Sequence, residues 1–295
     1  MKEYAYFPGC SLEKMAIGYH RSTLETTEKL GVKLRELDDW NCCGATAYFH
    51  VDELLAYTLG ARNLAMAEKE GLDLVAPCSG CYKNMFFTQA HLNHDPDLKE
   101  HINDALEEDN LHFVGKNTVH HLIDLFVNEI GLEKIRNTVK QPLEGLRIAP
   151  YYGCQILRPR KDHDEVENPL FFEDLLSSIG ATPADYSLKM KCCGGSLLIT
   201  SRPAAFAMIN NLLKNAVDCN ADVIATACPL CQINLECYQQ QINREYNTHY
   251  SVPVVYFTQL VGMAFGIAPK NLGLGKEFIS PKKAFEAMKA PSNGK

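Results

Sequence analysis

Five cysteines recur in this chain in one order and at one spacing. Cys10, Cys42, Cys43, Cys78 and Cys81 are answered by Cys154, Cys192, Cys193, Cys228 and Cys231. In both sets 34 residues separate the adjacent pair from the following CxxC, and the pairs and the CxxC motifs each lie 150 positions apart. Cys10 and Cys154 are 144 positions apart, so the second copy carries a six-residue insertion before its pair. Such a register marks an internal duplication. It constrains the fold twice: both halves must adopt one architecture, and that architecture must gather five separated sulfurs.

The segments around the cysteines repeat as well. "EYAYFPGC" and "LRIAPYYGC" read as short strands ending at Gly9 and Gly153, each followed by a helix. "LDLVAPCSGC" and "ADVIATACPLC" each run an apolar strand into a CxxC that opens a helix. Leu55, Leu59 and Met66, and then Phe206, Ile209, Leu213 and Val217, fall at helical spacing, which predicts two helices with these side chains in the core. Strands alternating with helices imply an α/β fold: two tandem pseudo-symmetric repeats, each a parallel β-sheet flanked by helices in Rossmann-like βαβ units. Ligands of such sheets gather beyond the carboxyl ends of the strands, where the cysteines fall.

Pro142 and Gly145 in "VKQPLEG" place the seam, giving a first domain over 1–141, a second over 142–269 and a lysine-rich tail over 270–295. Residues 91–111 hold seven acids against one lysine, and the tail holds six lysines against two glutamates. Both read as solvated surface or as opposite patches that steer a partner.

A net charge of -7 argues against nucleic acid, whose phosphates call for clustered basic charge. The opening "MKEYAYFPGC" puts charges where a secretory leader needs an apolar run, which predicts a cytoplasmic chain. "SVPVVYFTQLVGMAFGIAP" is too interrupted by Pro253, Thr258, Gln259 and two glycines for a membrane span, and predicts a strand entering a helix. In a reducing compartment twelve cysteines point to metal or redox chemistry and away from a disulfide framework.

A tetrahedral zinc site or a four-iron cluster takes four protein ligands. Five per set leave open a cluster of unusual shape, or four ligands and a spare. A CxxC at a helix N-terminus favours thiolates through unpaired N–H groups and the helix dipole. Pro229 suits a first helical turn, and Gly44, Gly194 and Gly195 let the backbone approach bulky sulfur and iron. Cys219 and Cys237 stand outside the pattern and read as inert thiols. No Ser-His-Asp order, P-loop or GxGxxG fingerprint is present.

The repeated C…CCG…CxxC arrangement resembles the CCG-domain family, and over nearly its whole length the chain is similar to the HdrB-type subunits of heterodisulfide reductases. The resemblance implies two noncubane [4Fe-4S] clusters facing one another across a substrate pocket. Cys10, Cys42, Cys43, Cys78 and Cys81 would hold one, and Cys154, Cys192, Cys193, Cys228 and Cys231 the other, with zinc in one site as the alternative. It also implies reduction of a disulfide to two thiols in two one-electron steps: the mixed disulfide of coenzymes M and B in methanogens, another disulfide or thiol in bacterial relatives. Because the chain has no C-x₂-C-x₂-C-x₃-C run, the implied partners are a ferredoxin-like protein of the HdrC type and a flavin-containing one of the HdrA type.

Arg158, Arg160 and Lys161 follow Cys154 and suit an anionic substrate group, or pair with Asp162, Asp164 and Glu165. His50 lies near the first pair as a proton donor to a departing thiolate, or as a loop histidine. His120 and His121, where a strand meets a helix, read as structural. Two competing functions are an electron-transfer subunit of a glycolate or lactate oxidation system and a zinc-binding assembly scaffold.

Overall fold

The computed structural model describes residues 2–45, 48–159 and 167–288. The first half runs β1 (Lys2–Tyr6), α1 (Gly9–Leu12), α2 (Ile17–Lys29), β2 (Val32–Glu36), α3 (Tyr48–Val51), α4 (Glu53–Lys69), β3 (Leu74–Ala76), α5 (Ser79–His94), α6 (Pro96–Leu106) and β4 (Val119–His121). It closes with α7 (Leu122–Asp124), a π-helical segment over Leu125–Gly131 and α8 (Leu132–Thr138). The second half runs β5 (Arg147–Tyr151), α9 (Phe171–Ser178), β6 (Thr182–Pro183), α10 (Leu197–Thr200), α11 (Arg202–Asp218), β7 (Val223–Thr226), α12 (Pro229–Cys237), α13 (Gln239–Tyr246), β8 (Val254–Tyr256), α14 (Phe257–Ala264) and α15 (Lys282–Met288).

Each half builds one four-stranded parallel sheet, in the order β2-β1-β3-β4 and then β6-β5-β7-β8. Ala5 sits opposite Leu74, and Ile148 opposite Val223, so the duplication extends to strand register. Every residue of β3 and β7 is buried, as strands covered by helices on both faces require. In both sheets the strand order reverses between the first strand and its neighbours, which opens a crevice beyond the ends of β1 and β3 and of β5 and β7. The interrupted apolar stretch forms β8 and α14, as its pattern predicts, and no helix among the described residues is long and apolar enough to cross a membrane.

Some helical faces differ from expectation. Phe206, Ile209 and Leu213 are buried, but Leu55 and Val217 are exposed, and Leu59 and Met66 are only partly covered. The buried face of α4 is made of Ala56, Tyr57, Gly60, Ala61 and Leu64. Small residues win there because α5 lies so close that a Cβ on Gly60 would come 2.7 Å from Thr88 Oγ1. The helix expected directly after Gly153 does not form at residues 154–159, which are turns and bends.

Each half has a core of its own, around Leu64, Tyr82 and Met85 in the first and Phe206, Ile209 and Leu235 in the second. A further core is shared, with Tyr4, Tyr19 and Leu125 packed among Ile148, Phe172, Val223 and Leu260. Across the seam the rings of Tyr19 and Tyr256 stack at 4.3 Å, Ser22 Oγ lies 2.6 Å from Thr258 Oγ1, and Phe257 meets Phe126 edge-on.

The acids of 91–111 are exposed on α6 and its flanks, while Ile102 and Leu106 point inward. The described tail lysines, Lys270, Lys276, Lys282 and Lys283, are exposed, while apolar residues between them anchor the tail. Leu272 is fully buried, Gly273 lies against the backbone of Gly18, and Phe285 and Met288 pack on the shared core. Glu236, 2% exposed, accepts the N–H of Ile279 at 3.3 Å and the side-chain amide of Gln232. Burial pushes its carboxyl up to about 7. The folded state therefore favours the protonated form: this stabilisation is complete below about pH 4.5 and is lost as pH rises through 7, a change of about 3 kcal/mol. Glu236→Gln is expected to flatten that slope and stabilise the chain at pH 8, as read from denaturant midpoints across the pH range.

Candidate functional site

The sheet ends bring the cysteines together. Cys10 lies in α1, directly after β1, and Cys154 in the turn after β5. The adjacent pairs lie in the loops that follow β2 and β6. Cys78 and Cys228 are the N-caps of α5 and α12, with Cys81 and Cys231 in the first turns. Cys43 Sγ lies 3.2 Å from Cys81 Sγ, and Cys193 Sγ 3.5 Å from Cys231 Sγ.

These contacts extend into one path. Cys42 and Cys43, and Cys78 and Cys81, influence one another electrostatically, and Cys78, packed on the core of the second half, does the same with Cys228 across the seam. From there the path continues through Cys231, Cys193 and Cys192 to Cys154, while Cys10 lies within electrostatic reach of Cys42. Hydrogen bonds from neighbouring thiols push Cys43, Cys192 and Cys228 well below the ordinary thiol range. Cys10 and Cys42 are exposed at one end, and Cys154 and Cys192 are half-buried at the other.

The halves support the thiols in matching ways. Asn84 donates its amide to the carbonyl of Cys43 at 2.6 Å, and Asn234 to that of Cys193 at 3.1 Å. At the junction Tyr19 directs its hydroxyl between the carbonyls of Pro77 and Ala227, 3.3 Å from each. His121 is fully buried; desolvation pushes its imidazole down to about 4, so the ring is neutral. Sequence reasoning missed Tyr19 and assigned His121 only a structural part. The asparagines had a legible signal, because Cys-x₂-Cys-x₂-Asn occurs twice in register.

An iron–sulfur group fits these residues. The donors are all soft sulfur, and both CxxC motifs open helices. Gly9 and Gly153 have φ of +69° and +71°, and a Cβ on either would stand 3.2 Å from Cys81 Sγ or Cys231 Sγ. No three His, Cys, Asp or Glu side chains among the described residues are grouped for a single metal ion. That is compatible with a larger cluster, whose ligands are spread around several metals. Gly153→Ala introduces a side chain against Cys231 in a left-handed conformation, at about 1–2 kcal/mol. It is expected to leave the chain folded while lowering metal uptake by the second set alone, as checked by thermal unfolding and iron per chain.

The remaining candidates are peripheral. His50 is exposed on α3, and Arg158 is exposed but close enough to bias the Cys192 thiol downward. Arg160 and Lys161, like Asp162, Asp164 and Glu165, lie outside the described residues. A surface hollow of about 480 Å³ beside the first set is lined by Glu13, Glu36, Asp38, Asp39 and Trp40 and contains no cysteine.

Known proteins share this arrangement. The cysteine-rich CCG domain model matches residues 4–86 and again 148–236. The chain is 36% identical to the 8-methylmenaquinol:fumarate reductase membrane anchor subunit of Wolinella succinogenes, covering 96% of this chain and 99% of that one. It is 32% identical to the B subunit of the Ferredoxin/F(420)H(2)-dependent CoB-CoM heterodisulfide reductase of Methanosarcina acetivorans, covering 95% and 94%. A solved Helicobacter pylori protein described as hypothetical shares the fold, with a TM-score of 0.76 over 95% of this chain at 16% identity; the chain spans about half of its length. The relatives' names are those of subunits of redox complexes. With the domain matched twice around both cysteine sets and relatives above 30% identity along nearly the whole sequence, the chain belongs to the CCG cysteine-rich domain family.

Proposed function

We propose that this chain is the disulfide-handling subunit of a heterodisulfide-reductase-like complex, with a noncubane four-iron group on each cysteine set. The observation that carries this reading is the approach of the two sets at the seam, where Cys78 packs on the second-half core that contains Cys228 and Cys231. A disulfide presents two bonded sulfurs, and two electrons and two protons turn it into two thiols. A site of two like halves suits that substrate. When bound, the two groups supply the electrons singly.

The chain's own residues do the rest. The cysteines hold the two groups on opposite sides of the seam, and Tyr19 ties the turns that precede both CxxC motifs. Arg158, with Arg160 and Lys161, attracts an anionic group of the substrate toward the second half, away from the acidic hollow beside the first. His50 supplies a proton to one leaving sulfur. Electrons arrive through a ferredoxin-like partner fed by a flavin-containing one.

A second reading is electron exchange with a quinol, as in the complex for which the Wolinella relative is named. It draws support from Val51 and Ile199, 82% and 89% exposed on the short helices that follow the two cysteine pairs. A hydroxy-acid oxidation system would use the same kind of chain.

The test is metal and acid-labile sulfide analysis of chain made without oxygen, followed by turnover. About eight irons per chain, a paramagnetic signal that changes with thiol, and disulfide reduction are the expected results. Turnover with a menaquinol analogue and no response to thiols would replace this reading with the second. Zinc with little sulfide would end both and leave a structural clamp.

A further inference from the structure

The two cysteine sets meet water differently. Cys10 and Cys42 are exposed, whereas Cys154 and Cys192 are half-buried, so solvent reaches the first set more freely than the second. Hydrogen bonds to sulfur and contact with solvent both help set iron–sulfur potentials. Each stabilises the more negative, reduced state by placing donor hydrogens against the sulfur. Where water is scarce, the donors have to come from the protein. One is in place on the second side: Gln155 turns its side-chain amide back on the cysteine before it, and Nε2 donates to Cys154 Sγ at 3.5 Å.

The other end of the same amide supports a placement made for that bond. Gln155 Oε1 is buried with no hydrogen-bond partner among the described residues. Leaving a buried acceptor unpaired is costly, and the reverse orientation would set that oxygen against the sulfur. The first half has no amide here, because the residue after Cys10 is Ser11. The matched asparagines do different work. Asn84 donates to the carbonyl of Cys43 at 2.6 Å, and Asn234 to the carbonyls of Cys193 and Gly195 at 3.1 and 3.0 Å. Asn234 leaves Cys193 Sγ farther off, at 3.7 Å, again on the second side. Arg158 adds a positive charge near Cys192, but it is exposed and screened by salt.

We propose that Gln155 tunes the second cysteine set: its amide stands in for the water that Cys154 lacks and raises the potential at which that set accepts an electron. This rests on the iron–sulfur reading above. Reduction adds one electron, and so one negative charge, to the bound group and its sulfurs, and breaks no bond. The N–H of Gln155 holds Cys154 more strongly as that charge arrives, so the bond favours the reduced state. Water on one side and an amide on the other bring two differently exposed sets toward a common potential. That suits a site which hands one electron to each of two sulfurs.

The test is a redox titration of the anaerobically made full chain at high ionic strength, monitored by electron paramagnetic resonance after iron and sulfide have been measured. The wild-type chain is expected to titrate in two one-electron steps. Gln155→Met keeps the length of the side chain and removes its N–H groups. It is expected to lower one step, by roughly twofold to tenfold in the reduction equilibrium constant, and to leave the other step, the iron and the sulfide unchanged. Gln155→Glu, which sets an acceptor-only carboxylate beside the sulfur, lowers the same step further. Cys81→Ser, which disables the first set, identifies that step as the one that survives. If Gln155→Met moves neither step, moves both alike, or moves the step that Cys81→Ser abolishes, the proposed tuning is wrong and the cofactor reading stands. Loss of iron in Gln155→Met would make Gln155 a structural support and overturn the proposal too. A wild-type chain without iron and sulfide would overturn both readings.

Discussion

Cys81→Ser is expected to leave a folded chain that has lost about half its iron and whose disulfide turnover has fallen by about two orders of magnitude or more. Cys81 is 5% exposed in the first turn of α5, with its sulfur 3.2 Å from Cys43 and directly beneath Gly9. Serine keeps the size and the helix start but replaces a soft thiolate with a hydroxyl that iron binds poorly. The second set should still take up metal, because its nearest neighbours, Cys193 and Cys228, are untouched. Iron per chain, the paramagnetic signal and disulfide turnover would be measured beside a Cys219→Ser control, whose thiol bonds only locally to the carbonyl of Ala216. Unchanged iron in Cys81→Ser would remove the first set as a cofactor site.

The largest stability effect is expected at Lys189. Its ammonium, on a side chain 9% exposed, donates to Glu173 and to the carbonyl of Pro169, both at 2.6 Å. Glu173 also accepts the hydroxyl of Tyr152, and the carbonyl of Lys189 accepts the N–H groups of Tyr152 and Gly153. Lys189→Ala leaves the largely covered glutamate, its side chain 16% exposed, without its cation, a loss of about 3 kcal/mol. Lys189→Met with Glu173→Leu removes both charges and should lose clearly less. Denaturant unfolding of both variants decides the matter: equal losses would mean that Lys189 acts through packing alone. Because the network grips the turn before Cys154, metal uptake by the second set should fall in parallel.

What the sequence revealed was local. Paired sheets, strands running into each CxxC and the convergence of each set follow from apolar runs ending in cysteine at a repeated interval. The burial of α4 was misread because its tight side is made of Ala56, Gly60 and Ala61, residues that hydrophobic periodicity underweights. Tyr19 had no signal at all: its role depends on two carbonyls, 58 and 208 positions away. The anchoring of the tail was not legible because only a few apolar residues, Leu272 and Phe285 among them, hold it between its charges. The joining of the two sets through Cys78 and Cys228 depends on how the halves dock, which a spacing rule applied within each half does not contain.

That docking bears on the economy of a single chain. Two separate copies of one half, meeting about a true two-fold axis, would make every contact across it twice, residue i on j and j on i. Two tyrosines would then compete for the space between the same two carbonyls. The covalent link lifts that restriction: one Tyr19 serves both CxxC turns, and histidine and tyrosine occupy places that a dimer of identical halves would have to fill alike. Fusion therefore gives this fold something that assembly of identical parts cannot, a two-fold site whose sides are free to diverge.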